Sequence, residues 1–227
     1  MTAALAPHPH WSAPVPGGVT GVVLAGGQGR RMGGIDKGLQ TFRGAPLALH
    51  ALLRLQRQRG GWIGPCLINA NRHLAAYEAL GVPVWPDVVD GSAGPLAGML
   101  TGLVHAATPW VLTVPCDSPL LPLDLAERLA QAVTAAQADV ALAAAPQDGG
   151  APRPQPVFAL IGAHRLDDLQ AFLQSGGRKI DAWTARQRCV VVPFDRPDDD
   201  PMAFANINTL SELQALETAG AVPSPAR

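Results

Sequence analysis

The stretch Val19-Thr20-Gly21-Val22-Val23-Leu24-Ala25-Gly26-Gly27-Gln28-Gly29-Arg30-Arg31-Met32-Gly33-Gly34-Ile35-Asp36-Lys37-Gly38 decides the fold of this chain. Its first six residues form a short apolar run that reads as a buried strand. Five glycines follow between positions 26 and 34. Without a Cβ, glycine lets successive backbone N–H groups turn inward on an anion. Arg30, Arg31 and Lys37 bring positive charge to the same place, a combination suited to a polyphosphate. Two common nucleotide fingerprints do not fit. A dinucleotide-binding G-x-G-x-x-G begun at Gly27 ends on Met32, and a Walker A loop needs Gly-Lys-Ser/Thr where Gly34 is followed by Ile35.

Outward from this loop, the chain alternates strand and helix signals. The Arg43-Gly44 pair predicts a turn, and Pro46 opens a helix running to about Arg59. A short strand spans Cys66 to Ile68, a helix Arg72 to Leu80 with Gly81 as its cap, and a strand Val82 to Trp85. Gly94-Pro95-Leu96-Ala97-Gly98 leads into a helix ending near Ala106. An apolar strand then runs from Trp110 to Val114. After Pro122, Leu125, Leu129 and Val133 share one helix face, and Val140 to Ala143 is the next strand. Residues 148–154 read as a linker or loop. A strand over Val157–Ile161, a helix over Asp167–Leu173 and a strand over Cys189–Phe194 come next. Thr209 and Glu212 suit a capping box on a last helix.

This order predicts an α/β protein whose mostly parallel sheet is covered by helices on both sides. In such sheets ligands sit beyond the carboxyl ends of the strands. That rule gathers the 24–38 loop, Asn69, Asp87 and Asp117 on one rim.

With 227 residues, a single domain over 19–219 is expected, with an unordered tail at 1–18 and a frayed end at 220–227. The formal charge of −1 gives no global reason to expect nucleic acid or an acidic membrane as partner. Three scattered cysteines imply neither a disulfide scaffold nor a metal cluster. With no signal-peptide pattern before residue 18, a soluble cytoplasmic protein is expected. Only two of the seventeen basic residues are lysines, Lys37 and Lys179. Their rarity singles them out as compact point charges near phosphate.

The glycine-rich loop closely resembles the signature L-A-G-G-x-x-x-R-M-G-G-x-D-K-G of the molybdenum cofactor guanylyltransferases. The resemblance extends over residues 19 to 217. It implies a three-layer Rossmann-like nucleotidyltransferase fold, GTP and molybdenum-molybdopterin as substrates, and Mg²⁺ as cofactor. It also implies transient contact with molybdopterin-handling proteins and molybdoenzyme chaperones. Asp117, in Pro115-Cys116-Asp117-Ser118-Pro119, matches the family's metal aspartate, and oxygen ligands of this kind suit Mg²⁺. On spacing alone the same aspartate could cap the following turn. Lys37 is the candidate to hold the β- and γ-phosphates, and Arg30 can reach the same region with a bidentate fork.

For the nucleotide, the resemblance points to Leu24, Ala25, Gly26, Gly27, Asn69 and Asp87, with Gly94 and Gly98 letting a helix approach closely. For the second substrate it points to Arg178, Lys179, Asn206 and Asn208. Gln155 stands where the family often has histidine, so no imidazole chemistry is assigned there. Three rival readings stay open at this point. A cytidylyltransferase would use CTP and resembles an L-A-A-G form of the loop. A sugar-phosphate nucleotidyltransferase would be longer. A nucleotide-binding regulator would lack the metal aspartate.

Overall fold

A computed structural model describes residues 10–27, 36–89, 94–147, 150–207 and 212. Among them, seven strands form one sheet in the order β5-β4-β1-β6-β8-β7-β9. In chain order these are β1 (Val19–Leu24), β4 (Ile63–Asn69), β5 (Val84–Trp85), β6 (Trp110–Pro115), β7 (Val140–Ala145), β8 (Arg153–Gly162) and β9 (Cys189–Pro193). A separate hairpin pairs β2 (Thr41–Phe42) with β3 (Ala45–Pro46). Its two turn residues, Arg43 and Gly44, have φ of 46° and 79°. Both central residues in the left-handed region is the geometry of a tight two-residue hairpin turn, whose twist matches that of paired strands. All sheet pairings are parallel except those of β8, which runs antiparallel to β6 and β7.

Side chains alternate between two apolar layers with the period of two that a strand imposes. Val19 and Val23 of β1, with Leu112 and Val114 of β6, face one layer. That layer is covered by α1 (Leu47–Gln56), α2 (Leu74–Glu78) and α4 (Leu125–Ala136), through Leu52, Leu55, Tyr77, Leu129 and Val133. Val22, Val111 and Val140 face the other. Here α3 (Pro95–Val104), α5 (Leu166–Gln174) and α6 (Ile180–Thr184) close the core with Met99, Leu100, Phe172 and Trp183. The result is the three-layer α/β arrangement with a mostly parallel sheet.

Several boundaries differ from expectation. Residues 11–18, expected in an unordered tail, are tied to the body. The Trp11 indole donates to the carbonyl of Ala138 at 2.8 Å and packs edge-on against Trp110. Trp110 in turn donates to the carbonyl of Ser12, and the Gly17 N–H to that of Gly61. These ties are aromatic and close over long separations, 127 positions for Trp11 and Ala138, so apolar periodicity did not register them. Arg153 and Pro154, assigned to a linker, belong to β8. They continue it past a register shift in its pairing with β7, which a reading of the apolar run alone stops short of. The short α6 was missed because it spans only five residues after two glycines. It is held by Trp183, whose indole donates to Asp168. The final helix expected from Thr209 lies outside the described residues. No described helix is long and apolar enough to cross a membrane.

Candidate nucleotide site

Parallel pairing brings three strand ends level. Leu24, the last residue of β1, stands in register with Asn69 of β4 on one side and Pro115 of β6 on the other. Asn69 is in register with Trp85 of β5. Pairing continues one residue further, as the Ala25 N–H donates to the Asn69 carbonyl and the Cys116 N–H to that of Leu24. The loops carrying Ala25–Gly27, Asn69–Asn71, Asp87 and Asp117 therefore leave the sheet from one rim.

On the β4–β5 side, two asparagines grip one carboxylate. Asn69, 2% exposed, donates its amide to Asp87 Oδ1 at 2.9 Å and to the Trp85 carbonyl. Asn71 donates to Asp87 Oδ2 at 2.8 Å and accepts the Asp87 N–H at 2.8 Å. The same Asn71 amide reaches the Gly26 carbonyl at 3.3 Å, and Arg72 reaches that of Gly27. Asp87 is thus held at both oxygens while remaining partly open to solvent. Asn69 is the brace beneath it. Glycine is required above this brace: a Cβ at Gly98 would lie 2.4 Å from Asn69 Oδ1, and one at Gly26 2.9 Å from Asn71 Nδ2. Gly94 precedes α3 with φ of 62° and is followed by Pro95 at the first helical position. Because α3 follows β5, its N-terminus opens at the rim, where free N–H groups favour anions.

On the β6 side, Lys37 begins a short 3₁₀ turn, Lys37–Leu39, and its ammonium lies 3.3 Å from Asp117 Oδ2. Burial pushes the Asp117 carboxyl above its ordinary range, and Lys37 offsets only part of this. A half-buried carboxylate that a monocation only partly neutralises, at a phosphate-suited loop, is an oxygen donor fit for Mg²⁺ with phosphate oxygens and water as its other ligands. Among the described residues no group of three or more His, Cys, Asp or Glu could enclose a metal by itself. Burial, with Asp117 and Asp36 nearby, also raises the Cys116 thiol, which keeps it protonated and unreactive.

Asn206 reaches the same loop. The fully buried Ser118 hydroxyl stands 2.6 Å from Asn206 Oδ1, and the Ile207 N–H donates to the Asp117 carbonyl. The Arg178 guanidinium donates to the carbonyls of Leu173 and Gly177, where α5 ends, and Lys179 beside it is exposed. β8 finishes opposite Trp110, at the end of the sheet away from the rim. From there α5 carries the chain back along the α3 layer. Arg30, Arg31 and Asn208 lie outside the described residues. In the quoted signature the fixed arginine falls on Arg31 rather than Arg30. A cleft of about 600 Å³ between His10, Pro109 and residues 163–168 stands near the start of β6 and contains none of these groups.

Reading by motif missed the residues that hold the motif in place. Asn71 follows Asn69 by two positions, the spacing that returns to the same side of an extended chain. Tyr77 is the one tyrosine of the sequence, and its hydroxyl donates to Asp36 at 2.5 Å. A lone buried tyrosine needing a hydroxyl partner is the signal that could have found it.

Residues 21–190 match the family profile of the MobA-like NTP transferase domain. The chain is 61% identical over 207 residues to a molybdenum cofactor guanylyltransferase of Acidovorax sp. (strain JS42), covering 89% of this chain and 96% of that protein. A molybdenum cofactor guanylyltransferase of Albidiferax ferrireducens is 60% identical over 203 residues, with 88% and 95% covered. The crystal structure of molybdopterin-guanine dinucleotide biosynthesis protein A from Archaeoglobus fulgidus is similar in fold. Its TM-score is 0.68 at 22% identity, covering 88% of this chain and 97% of that one.

Proposed function

We infer the reaction from kinship: the chain belongs to the MobA-like NTP transferase family and, within it, to the molybdenum cofactor guanylyltransferases. It transfers GMP from GTP to the terminal phosphate of molybdenum-molybdopterin, releasing pyrophosphate and forming the guanine dinucleotide cofactor. In this step an acceptor phosphate oxygen bonds to the α-phosphorus while the α–β bridging P–O bond breaks. The monoester oxygen is already ionised near neutral pH, so the protein's part is position and charge rather than proton removal.

The observation that carries the assignment of roles is the Lys37–Asp117 pair, brought together from 80 residues apart at the rim. Lys37 holds the phosphates that leave and offsets their charge. Asp117 holds Mg²⁺, which supplies charge neutralisation and orientation of phosphate oxygens. Asp87, gripped by Asn69 and Asn71, accepts hydrogen bonds from guanine or ribose donors. Leu24, Ala25, Gly26 and Gly27 pass beneath the nucleotide, and the α3 N-terminus at Gly94 favours its negative charge. Asn206, bonded to Ser118 beside Asp117, serves the molybdopterin substrate, and Asn208, Arg178 and Lys179 are assigned to the same substrate by the family resemblance. Arg30 assists at the phosphates. The protein works in the cytoplasm and passes its product through brief contact with molybdopterin-handling proteins and molybdoenzyme chaperones.

Incubation with metal-loaded molybdopterin and either GTP or CTP, with Mg²⁺ or with EDTA, tests this reading by product mass. A guanine dinucleotide made preferentially from GTP, and lost with EDTA, is the expected result. A cytosine product would transfer the assignment to the cytidine enzyme, and no product from either donor would refute the acceptor.

A further inference from the structure

Lys37 stands between two residues that close on the same phenol. On its N-terminal side, Asp36 is 9% exposed and accepts a 2.5 Å hydrogen bond from the Tyr77 hydroxyl. On its C-terminal side, Gly38 packs so tightly that a Cβ there would lie 2.4 Å from the same hydroxyl oxygen and 3.2 Å from Cε1 and Cζ of the ring. Tyr77 itself is fully buried in α2. A buried ring has little room to turn, so whatever it grips inherits its rigidity. Gln40 adds a local tie, donating its side-chain amide to the Asp36 carbonyl. Lys37 therefore stands between a neighbour whose side chain is hydrogen-bonded to α2 and one packed closely against it.

If packing were the whole purpose of this ring, phenylalanine would fill the space without burying a hydroxyl. The hydroxyl is instead spent on Asp36. Burial raises the Tyr77 phenol well above its usual range, with Cys116 and Asp36 adding to the shift, so it remains a neutral donor. α2 also starts directly after the Asn69–Asn71 loop that grips Asp87. One short helix thus joins the nucleoside side of the rim to the lysine on its phosphate side.

We propose that Tyr77 is a positioning residue for nucleotidyl transfer: through Asp36 and the close approach of Gly38 it aims the Lys37 ammonium at the phosphates beside Asp117. The proposal rests on the reading of Lys37 as the phosphate-holding group. Lysine has a long, flexible stem, so its effectiveness depends on how closely its backbone anchor is held. Misplacement of about 1 Å in such a contact can cost about 100-fold in rate. The ring, not the hydroxyl, fills the core, so removing the hydroxyl alone loosens the anchor while leaving the packed volume nearly intact.

A double-mutant cycle on the full-length enzyme tests this, using Tyr77→Phe, Lys37→Ala and the pair, with GTP as donor. Assays run at a temperature where urea or thermal unfolding shows every variant fully folded. Tyr77→Phe is expected to lower kcat/KM for GTP about 10- to 100-fold. In the Lys37→Ala background the same change is expected to cost less than about twofold, because no ammonium remains to aim. Asp36→Ala, which removes the acceptor of the Tyr77 hydroxyl, is a second route to the same loosening and is expected to behave alike. Equal losses in both backgrounds would make Tyr77 a general structural residue and overturn the proposal, as would unchanged kinetics in Tyr77→Phe. Unchanged kinetics in Lys37→Ala would instead overturn the reading of the site itself.

Discussion

Gly98→Ala sets helix propensity against tertiary fit at one atom. In the interior of α3, alanine in place of glycine would ordinarily stabilise the helix by about 1 kcal/mol. Here the added methyl would sit 2.4 Å from Asn69 Oδ1 and 2.8 Å from Leu24 Cδ2. Asn69 has nowhere to swing, being 2% exposed with its amide committed to the Trp85 carbonyl and to Asp87. Overpacking of this kind costs about 1–3 kcal/mol. Adding the loss of the Asn69–Asp87 hydrogen bond, about 1 kcal/mol, which cancels the gain in helix propensity, leaves a net destabilisation of about 1–3 kcal/mol. Because the displaced residue braces Asp87, the KM for GTP should rise about fivefold, the equivalent of that one hydrogen bond.

Gly102→Ala is the internal comparison. Its methyl would lie 3.0 Å from Val22 Cγ2, in an apolar setting with no site residue in reach. It should be destabilised less than Gly98→Ala, with KM for GTP unchanged. Urea unfolding and steady-state kinetics of the two variants measure both quantities. A Gly98→Ala protein as stable as the parent, with unchanged KM, would refute the reasoning.

Three further outcomes are expected. Asp117→Asn should lower transfer at least about 100-fold with stability at neutral pH unchanged or raised. Burial raises the folded-state pKa of this carboxyl, so its stabilising contribution is present below the unfolded value and is lost as pH rises through the folded one. A destabilised Asp117→Asn protein that still turns over would contradict this. Asp139→Asn should reduce stability at neutral pH. Burial acts to raise this carboxyl, but hydrogen bonds and charge from Arg188 and His164 outweigh it and hold the pKa low. That contribution exists above the unfolded value and disappears as pH falls through the folded one, so the gap in urea midpoint should narrow below about pH 4. A gap constant down to pH 2 would remove the charge-based account. Trp11→Ala should cost about 2 kcal/mol without changing transfer, because its partners Trp110 and Ala138 stand at the start of β6 and before β7, away from the rim. Lost transfer in a folded Trp11→Ala protein would show that the N-terminal segment reaches the site.

The legible parts of the sequence were those with a local physical signature. Strand β1 matched its expected bounds because six consecutive apolar or small residues end on a glycine run. The Arg43-Gly44 turn was visible because glycine tolerates positive φ at low cost. Asp117 stood out because two prolines frame it after an apolar strand. Less visible were interactions closed over long separations. The Tyr77–Asp36 hydrogen bond spans 41 positions and the Trp11–Ala138 bond 127. Neither leaves a period or a spacing to read. The helix at 180–184, too short to show a period, likewise rests on a tertiary tie, the bond from Trp183 to Asp168.

By itself the sequence determined the alternation of elements, the family and the rim on which Asn69, Asp87 and Asp117 gather, because periodicity, turn chemistry and a glycine-rich signature act over a few residues at a time. Tertiary structure alone decided that Asn69 is a buried brace rather than an open contact, that Asn71 completes the grip on Asp87, and that Tyr77 anchors the turn bearing Lys37. Those roles depend on which atoms meet when the parallel strands come into register and the helices close over them. Distances of 2.5 to 3.3 Å between groups far apart in the chain exist only once the whole core has packed.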